Sequence, residues 1–388
     1  MKPHLKTLPL LLLLFGLPTS AAAVDPIFDQ ARLHDCRLNI DPADWAALRA
    51  AYTTNQYYAA DLIIDGETVR QIGVRSRGLG SRSGEKPGLK LDTNKYVAGQ
   101  EFHGYKSLVL DNMTQDASMV REVLAYAVFE AAGIPAPQIA FCRLTINTEY
   151  WGLYTLSEPV GKPFLKTRLG EESGTLYDYT YAGDYRFSYL GDDIGTYVPL
   201  PFQPQTNENK LDNGVAQFVR AINQTPESGY AAAMEAFIDV RKFLTYVAVE
   251  NACAEHDGFV GYLGMNNFYL YQYGGQTRFT LIPWDKDTSF QAPEWLVDQG
   301  MSTNELTRRL MADPAMKSFY QSEVKRISAN FVTLAFLRSR ITQFGNLIRA
   351  SVAADTHKPF TTAQFEAAIA SIEELVARRA SNVAAQVP

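Results

Sequence analysis

The sequence predicts an α+β fold in two lobes, a β-rich front and a largely helical back. Three observations carry that expectation. Alternating apolar runs with turn signals dominate residues 24–110. The apolar spacing changes to a helical one near residue 116, and every long segment after about residue 303 keeps it. The chain has 388 residues, 46% of them hydrophobic and 20% charged, which suits one large domain or two moderate ones.

The elements follow in chain order. Residues 1–23 have a basic start, an apolar core at Leu8–Leu17 and a small-residue tail, Ala21-Ala22-Ala23. That is the pattern of a secretory signal peptide, too short to span a bilayer, with cleavage expected near Ala23. The mature chain is then expected to be secreted, periplasmic or on the cell surface, without a membrane span. Losing Lys2 and Lys6 takes the net charge from −6 to about −8, so a general nucleic-acid binder is not indicated. Cys36, Cys142 and Cys253 leave two readings open: one disulfide with a free thiol, or three small buried side chains. No CxxC occurs, and a chain this long buries a core without a disulfide scaffold.

In the front, "CRLNIDPADWAALRA" reads as a strand, then Asp41-Pro42 opening a short helix with Trp45 and Leu48 on one face. "YYAADLIIDGETVRQIGVRSRG" holds two alternating runs around Asp65-Gly66, a hairpin signal. "RSRGLGSRSGEKPG" is a Gly/Ser/Arg-rich loop, and "LKLD" a strand. "DASMVREVLAYAVFEAAGIPAP" is a helix that Asp116 or Ser118 could cap and Gly133 would end. Two strands then turn at Asn147-Thr148, and residues 165–215 read as irregular. "FLTYVAVENACAEHDGF" is a helix entering a loop, and the hairpin "NNFYLYQYGGQTRFTLIPWD" turns at Gly274-Gly275. Helices fill the rest, with no internal repeat.

Several weak signals share one order. Asp257 follows a helix, Asn266 and Asn267 come next, then the hairpin, then Asp285 and Asp287. Phosphotransferases of the protein-kinase type use an Asp to orient the accepting hydroxyl, a downstream Asn on a metal, and a hairpin that delivers a second metal-binding Asp. Upstream lie a Gly-rich loop with Arg77 and Gly78, then Lys86 and Lys90, four apart and expected on one side of a strand. Glu122 sits at the start of a helix, where a kinase places the partner of its strand lysine. Glu158-Pro159-Val160 ends a strand where a kinase has its nucleotide hinge. Each piece also has a plain reading: turn caps, a mobile basic loop, a surface glutamate, an ordinary strand end. No "HRD" or "DFG" is present, and neither is a GxSxG, HExxH or P-loop. Of His4, His34, His103, His256 and His357, only His256 adjoins the candidate residues.

The sequence resembles the CotH kinase family, the spore-coat protein H group of secreted atypical protein kinases. The likeness runs from about residue 30 to the end, through "GVRSRGLGSRSGEKPGLKLD", "MVREVLAYAVFEAAGIPAP", "INTEYWGLYTLSEPV", "FQPQTNE" and "IEELVARRASNVAAQV". "NNFYLY" followed by "PWDKD" is its most specific part.

The resemblance implies an atypical protein-kinase-like two-lobed fold. Residues 1–23 would be the signal peptide, 24–160 the β-rich lobe with one helix, and 161–388 the lobe with catalytic loop, metal-binding hairpin and helical tail. It implies transfer of the ATP γ-phosphate to protein Ser/Thr, with Mg, Mn or Ca. Partners would be protein substrates, surface or coat proteins among them. Asp257 would be the catalytic Asp, and Asp285 the metal ligand, with Asn266, Asn267 and Asp287 completing the shell. Lys86 or Lys90 would hold phosphate with Glu122 as partner, while Arg77, Gly78, Glu158 and Val160 would complete the nucleotide site. Gly88 stands where the family usually carries a side chain, which leaves the choice of lysine open. Two other readings stay in play: a non-catalytic surface or coat-assembly protein that kept the fold, and a phosphoesterase using the same carboxylates.

Overall fold

A computed structural model of the protein describes residues 24–206 and 213–387. The expected signal peptide lies outside them. The mixed α+β expectation holds, and the front strands prove to be one closed barrel.

The barrel strands are β1 (His34–Ile40), β2 (Tyr58–Ile64), β3 (Glu67–Arg77), β4 (Gly88–Asp92), β5 (Ser107–Asp111), β6 (Ile139–Ile146) and β7 (Glu149–Ser157). Their order is β1-β2-β3-β4-β5-β7-β6, and parallel pairing of β6 with β1 closes the ring, with Cys36 opposite Leu144. Alternation along each strand sends Leu38, Leu62, Ile72, Val74, Leu89 and Leu91 inward, all fully buried. The Asp65-Gly66 turn has both residues at positive φ, 51° and 92°, as a tight two-residue hairpin requires. Helix α1 (Pro42–Ala50) is capped by Asp41 and packs Trp45 and Leu48 inward. Cys36, Cys142 and Cys253 are all free and buried, so the small-apolar reading of the cysteines applies.

Helix α2 (Arg121–Ala131) connects β5 to β6. Its cap position is Val120, without a side-chain bond; Asp116, further back, accepts from the Arg121 amide at 2.9 Å.

Residues 165–215, expected to be irregular, contain two strands. These are β8 (Thr175–Tyr179) and the short β9 (Phe202–Pro204). They extend the hairpin β10 (Phe268–Gln272) and β11 (Phe279–Pro283) into a four-stranded antiparallel sheet, β11-β10-β8-β9. Tyr, Gly and Asp hide a strand whose stability comes from its neighbour rather than from its own propensity.

The helices are a single turn α3 (Lys162–Phe164), α4 (Gly214–Gln224), α5 (Tyr230–Met234), α6 (Val240–Ala252), α7 (Glu305–Ala312), α8 (Pro314–Asn330), α9 (Leu334–Ala354) and α10 (Thr362–Gln386). Every residue of α6 from Phe243 to Ala252 is buried, which makes it the central helix, enclosed on all sides.

One ion pair joins the barrel to the C-terminal helices. Lys86 Nζ donates to Asp355 Oδ2 at 2.7 Å and to the Leu153 carbonyl at 2.9 Å, with side-chain exposures of 1% and 0% for the pair. Asp355 also accepts from the amides of Leu153, His357 and Lys358. Gly152 lets it approach: a Cβ there would lie 2.5 Å from Asp355 Oδ2, on a backbone at φ +136°. The expectation that Lys86 and Lys90 share a strand face is therefore corrected. Lys86 precedes β4, sits in the interior and is bound to Asp355, whereas Lys90 lies on β4.

Removing one member of a buried pair strands the other charge. Asp355→Asn should destabilise the protein by about 3–5 kcal/mol. An unshifted urea midpoint would show that the pair holds nothing.

Candidate functional site

The open end of the β10–β11 hairpin builds the site. Phe268 pairs with Pro283, so the ladder ends with Asn267 beside Trp284, and the Trp284 amide donates to the Asn267 carbonyl at 3.3 Å. Both chains then bend through left-handed backbone, Asn267 at φ 54° and Asp285 at φ 51°. Asn and Asp tolerate that conformation better than other side chains. The bend after Pro283 therefore turns Asp285 and Asp287 out of the sheet.

Asp257, in the loop after α6, lies across from this bend. Its Oδ2 accepts from the Asn266 and Asn267 side-chain amides at 3.0 and 3.2 Å. Its Oδ1 is buried and has no partner. Burial raises the Asp257 carboxyl above the ordinary range, against the Asn266 bond that lowers it.

Behind Asp285 is a crowd of acids. Burial and then the nearby charge of Asp111 push Asp285 up to about 7. Burial, then Asp285 and Asp111, push Glu122 up to about 8. Asp287 is raised well above its usual value by burial, with Asp285, Asp111, Glu122 and Asp116 acting on it in the same direction. Among the described residues no hydrogen bond or ion pair reaches the Asp287 carboxylate, which is 7% exposed. Glu122 contacts neither Lys86 nor Lys90. It accepts from Tyr126 Oη at 2.8 Å, and Tyr126 in turn accepts from the Asp285 amide at 3.1 Å. On the cleft side a cation facing this crowd is Arg77, which donates to Asp111 Oδ2 at 3.0 Å and lies over the Trp284 ring at 5.7 Å.

A cleft of about 1230 Å³ opens next to this corner, between the barrel and the second sheet. Arg75, Arg77, Lys90, Asp178, Tyr269 and Trp284 line one part, and Pro159, Val160 and Gly161 another. Burial pushes Asp178 up to about 6, against Arg77 and Lys90. Gly78, at φ +105°, bends the loop after β3 at the barrel rim. Glu158 faces inward: it is 1% exposed and accepts from Tyr105 Oη and the Gln138 amide.

So Asp257, Asn266, Asn267, Asp285, Asp287 and Glu122 come together, with Arg77, Lys90 and Val160 on the adjoining cleft. Lys86 and Glu158 are engaged elsewhere. The donors near Asp257 and Asp285 are hard oxygens that suit a small divalent cation. Among the described residues no three acidic, histidine or cysteine side chains converge on one point as a complete cage does.

The match to known proteins is extensive. The family described as CotH kinase protein matches residues 74–383. The chain belongs to that family. Inner spore coat protein H of Bacillus subtilis (strain 168) is 23% identical over 350 residues, covering 87% of this chain and 93% of that protein. An inner spore coat protein H-like protein of the same organism is 23% identical over 273 residues, covering 70% and 76%.

Within this CotH family member, sequence reasoning missed Asp111, Tyr126, Asp178, Glu250 and Lys286. Asp111 carried a usable signal. "SLVLD" is an apolar strand ended by a carboxylate, the same pattern as "FTLIPWD". The others reveal themselves only through partners distant in sequence.

The acid crowd sets a pH dependence. A raised carboxyl holds its proton more tightly folded than unfolded, so its contribution is present at low pH and lost as pH climbs through about 7 for Asp285 and about 8 for Glu122. With divalent cations chelated, the melting temperature should fall between about pH 4 and 8. Asp285→Asn should flatten that fall; an equally steep slope in the variant would clear Asp285 of it.

Proposed function

We propose that this protein is an exported phosphotransferase with a two-lobed, kinase-like fold, transferring the ATP γ-phosphate to Ser/Thr hydroxyls of proteins. The lobes would divide near residue 160, as residues 24–160 and 161–388. The observation that carries the reading is the state of Asp257. Two amides hold one carboxylate oxygen, while the other, buried and unpartnered, is left to accept a proton from an incoming hydroxyl.

Asp285 would hold a divalent cation, Mg, Mn or Ca, with Asp287 and the side-chain oxygens of Asn266 and Asn267 as further ligands. A bound cation would supply charge neutralisation on the phosphates. One or two carboxylates with phosphate and water suffice for Mg²⁺, which fits a site without a complete protein cage. Lys90 and Arg77 line the cleft where phosphates would lie, and Val160 lines its other part. Binding in this geometry would contribute through orientation and fixed charge rather than covalent chemistry. Export rests on the N-terminal pattern of residues 1–23; among the described residues no helix is long and apolar enough to cross a membrane.

A second reading is favoured by the relatives' names. Both are named for the inner spore coat, so a surface or coat-assembly protein that uses the fold only to bind is the rival. Labelled ATP with Mg²⁺, Mn²⁺ or Ca²⁺ separates the two. The wild type should label protein Ser/Thr, and Asp257→Asn and Asp285→Ala should each lower the rate by about 10²-fold or more. Undiminished labelling in both variants would remove them from the mechanism. Absence of labelling and of stabilisation by ATP with metal would favour the binding protein.

A further inference from the structure

Lys286 stands between the two aspartates of "PWDKD", yet its side chain is fully buried. Its Nζ donates to Glu250 Oε1 at 2.9 Å and to the Asn267 carbonyl at 2.8 Å. Glu250, on α6, is fully buried too, and accepts from the amides of Phe259 and Val260 at 3.0 and 3.1 Å. Those amides belong to the loop that starts at Asp257. Gly258 permits the approach, since a Cβ there would lie 2.5 Å from Glu250 Oε1. Asn267, held by its carbonyl, donates its side-chain amide to Asp257.

Three segments thus meet at one ammonium group: the Asp257 loop through Glu250, the Asn266-Asn267 bend directly, and the Asp285-Asp287 bend because Lys286 lies within it. A second tie runs alongside, where Glu255 accepts from the Thr288 and Ser289 hydroxyls and from the Asp257 amide. Stability alone does not account for the Lys286–Glu250 pair, because a well-packed apolar pair of similar volume often serves a protein interior as well. An apolar pair could not fix the Asn267 carbonyl.

The geometry points to Lys286, with Glu250, as the positioning pair that sets Asp257, Asn267 and Asp285 in register for phosphoryl transfer. This rests on the phosphotransfer reading above. Lys286 touches no reacting atom; it acts through the residues it holds.

The test uses the full chain. Lys286→Met leaves the Glu250 charge unpaired, so the working variant is Lys286→Met with Glu250→Gln, which keeps an acceptor for one of the Phe259 and Val260 amides. It should melt below the wild type but still in one cooperative transition. Amide hydrogen exchange should quicken in residues 257–267 and 284–290 together. The kcat of labelling should fall about 10–100-fold, with the KM for ATP within about threefold. Should the double variant not fold, Glu250→Gln alone should give the same pattern in weaker form. Loosening of one segment without the other, or an unchanged kcat in a folded variant, would overturn the pairing. A wild type that transfers nothing while both segments of the variant loosen together would remove the phosphotransfer reading, and with it the role in transfer, but keep the tie.

Discussion

The crowding of Asp111, Glu122, Asp285 and Asp287 is the constraint that the surrounding scaffold must meet. Four carboxyl groups in one partly buried corner hold protons on Asp285, Glu122 and Asp287 well above the ordinary carboxylate range, and on loops with freedom to move they would part instead. They are instead mounted on a strand end, a helix start and the bend of a hairpin, each pinned from behind. Arg77 faces them from β3, and Lys286 faces them from the interior. Only one of these two cations borders the cleft.

Much of this was legible in sequence, and the failures share a physical cause. The Asp65-Gly66 hairpin, the Asp41-Pro42 helix start and the Gly274-Gly275 turn are local chemistry, and each appeared where it was read. Asp257, Asn266, Asn267 and Asp285 were found because their order along the chain mirrors their meeting in space. Strand β8 was missed because it draws its stability from a neighbour about 90 residues on, and β9 because it only adds to β8. Lys86 was misplaced because period-two reasoning assumed an unbroken strand, whereas Pro87 precedes β4 and the lysine turns inward to a partner 269 residues away. Lys286 was missed because its place between two aspartates says nothing of its side chain, which ties the bend to the helix behind it.

The two buried lysines divide the labour of the fold. Lys86 joins the barrel to the C-terminal helices, and Lys286 joins the pieces of the acid corner to one another. Both sit where a charge is costly, and both end on a carboxylate that also takes backbone amides. A carboxylate used in this way fixes a loop more tightly than an apolar contact, because it sets direction as well as distance.

The barrel is closed by its first strand. β1 pairs with β2 on one side and β6 on the other, so it acts as the last stave of a cask. The stretch recognised as the family begins at residue 74, inside β3, and leaves out β1 and β2. Cut at that boundary, the ring would lose two staves, baring the backbone of β3 and β6 and opening the apolar interior to water. A piece of this chain that keeps the ring closed therefore has to start at least forty residues before the segment by which it is recognised.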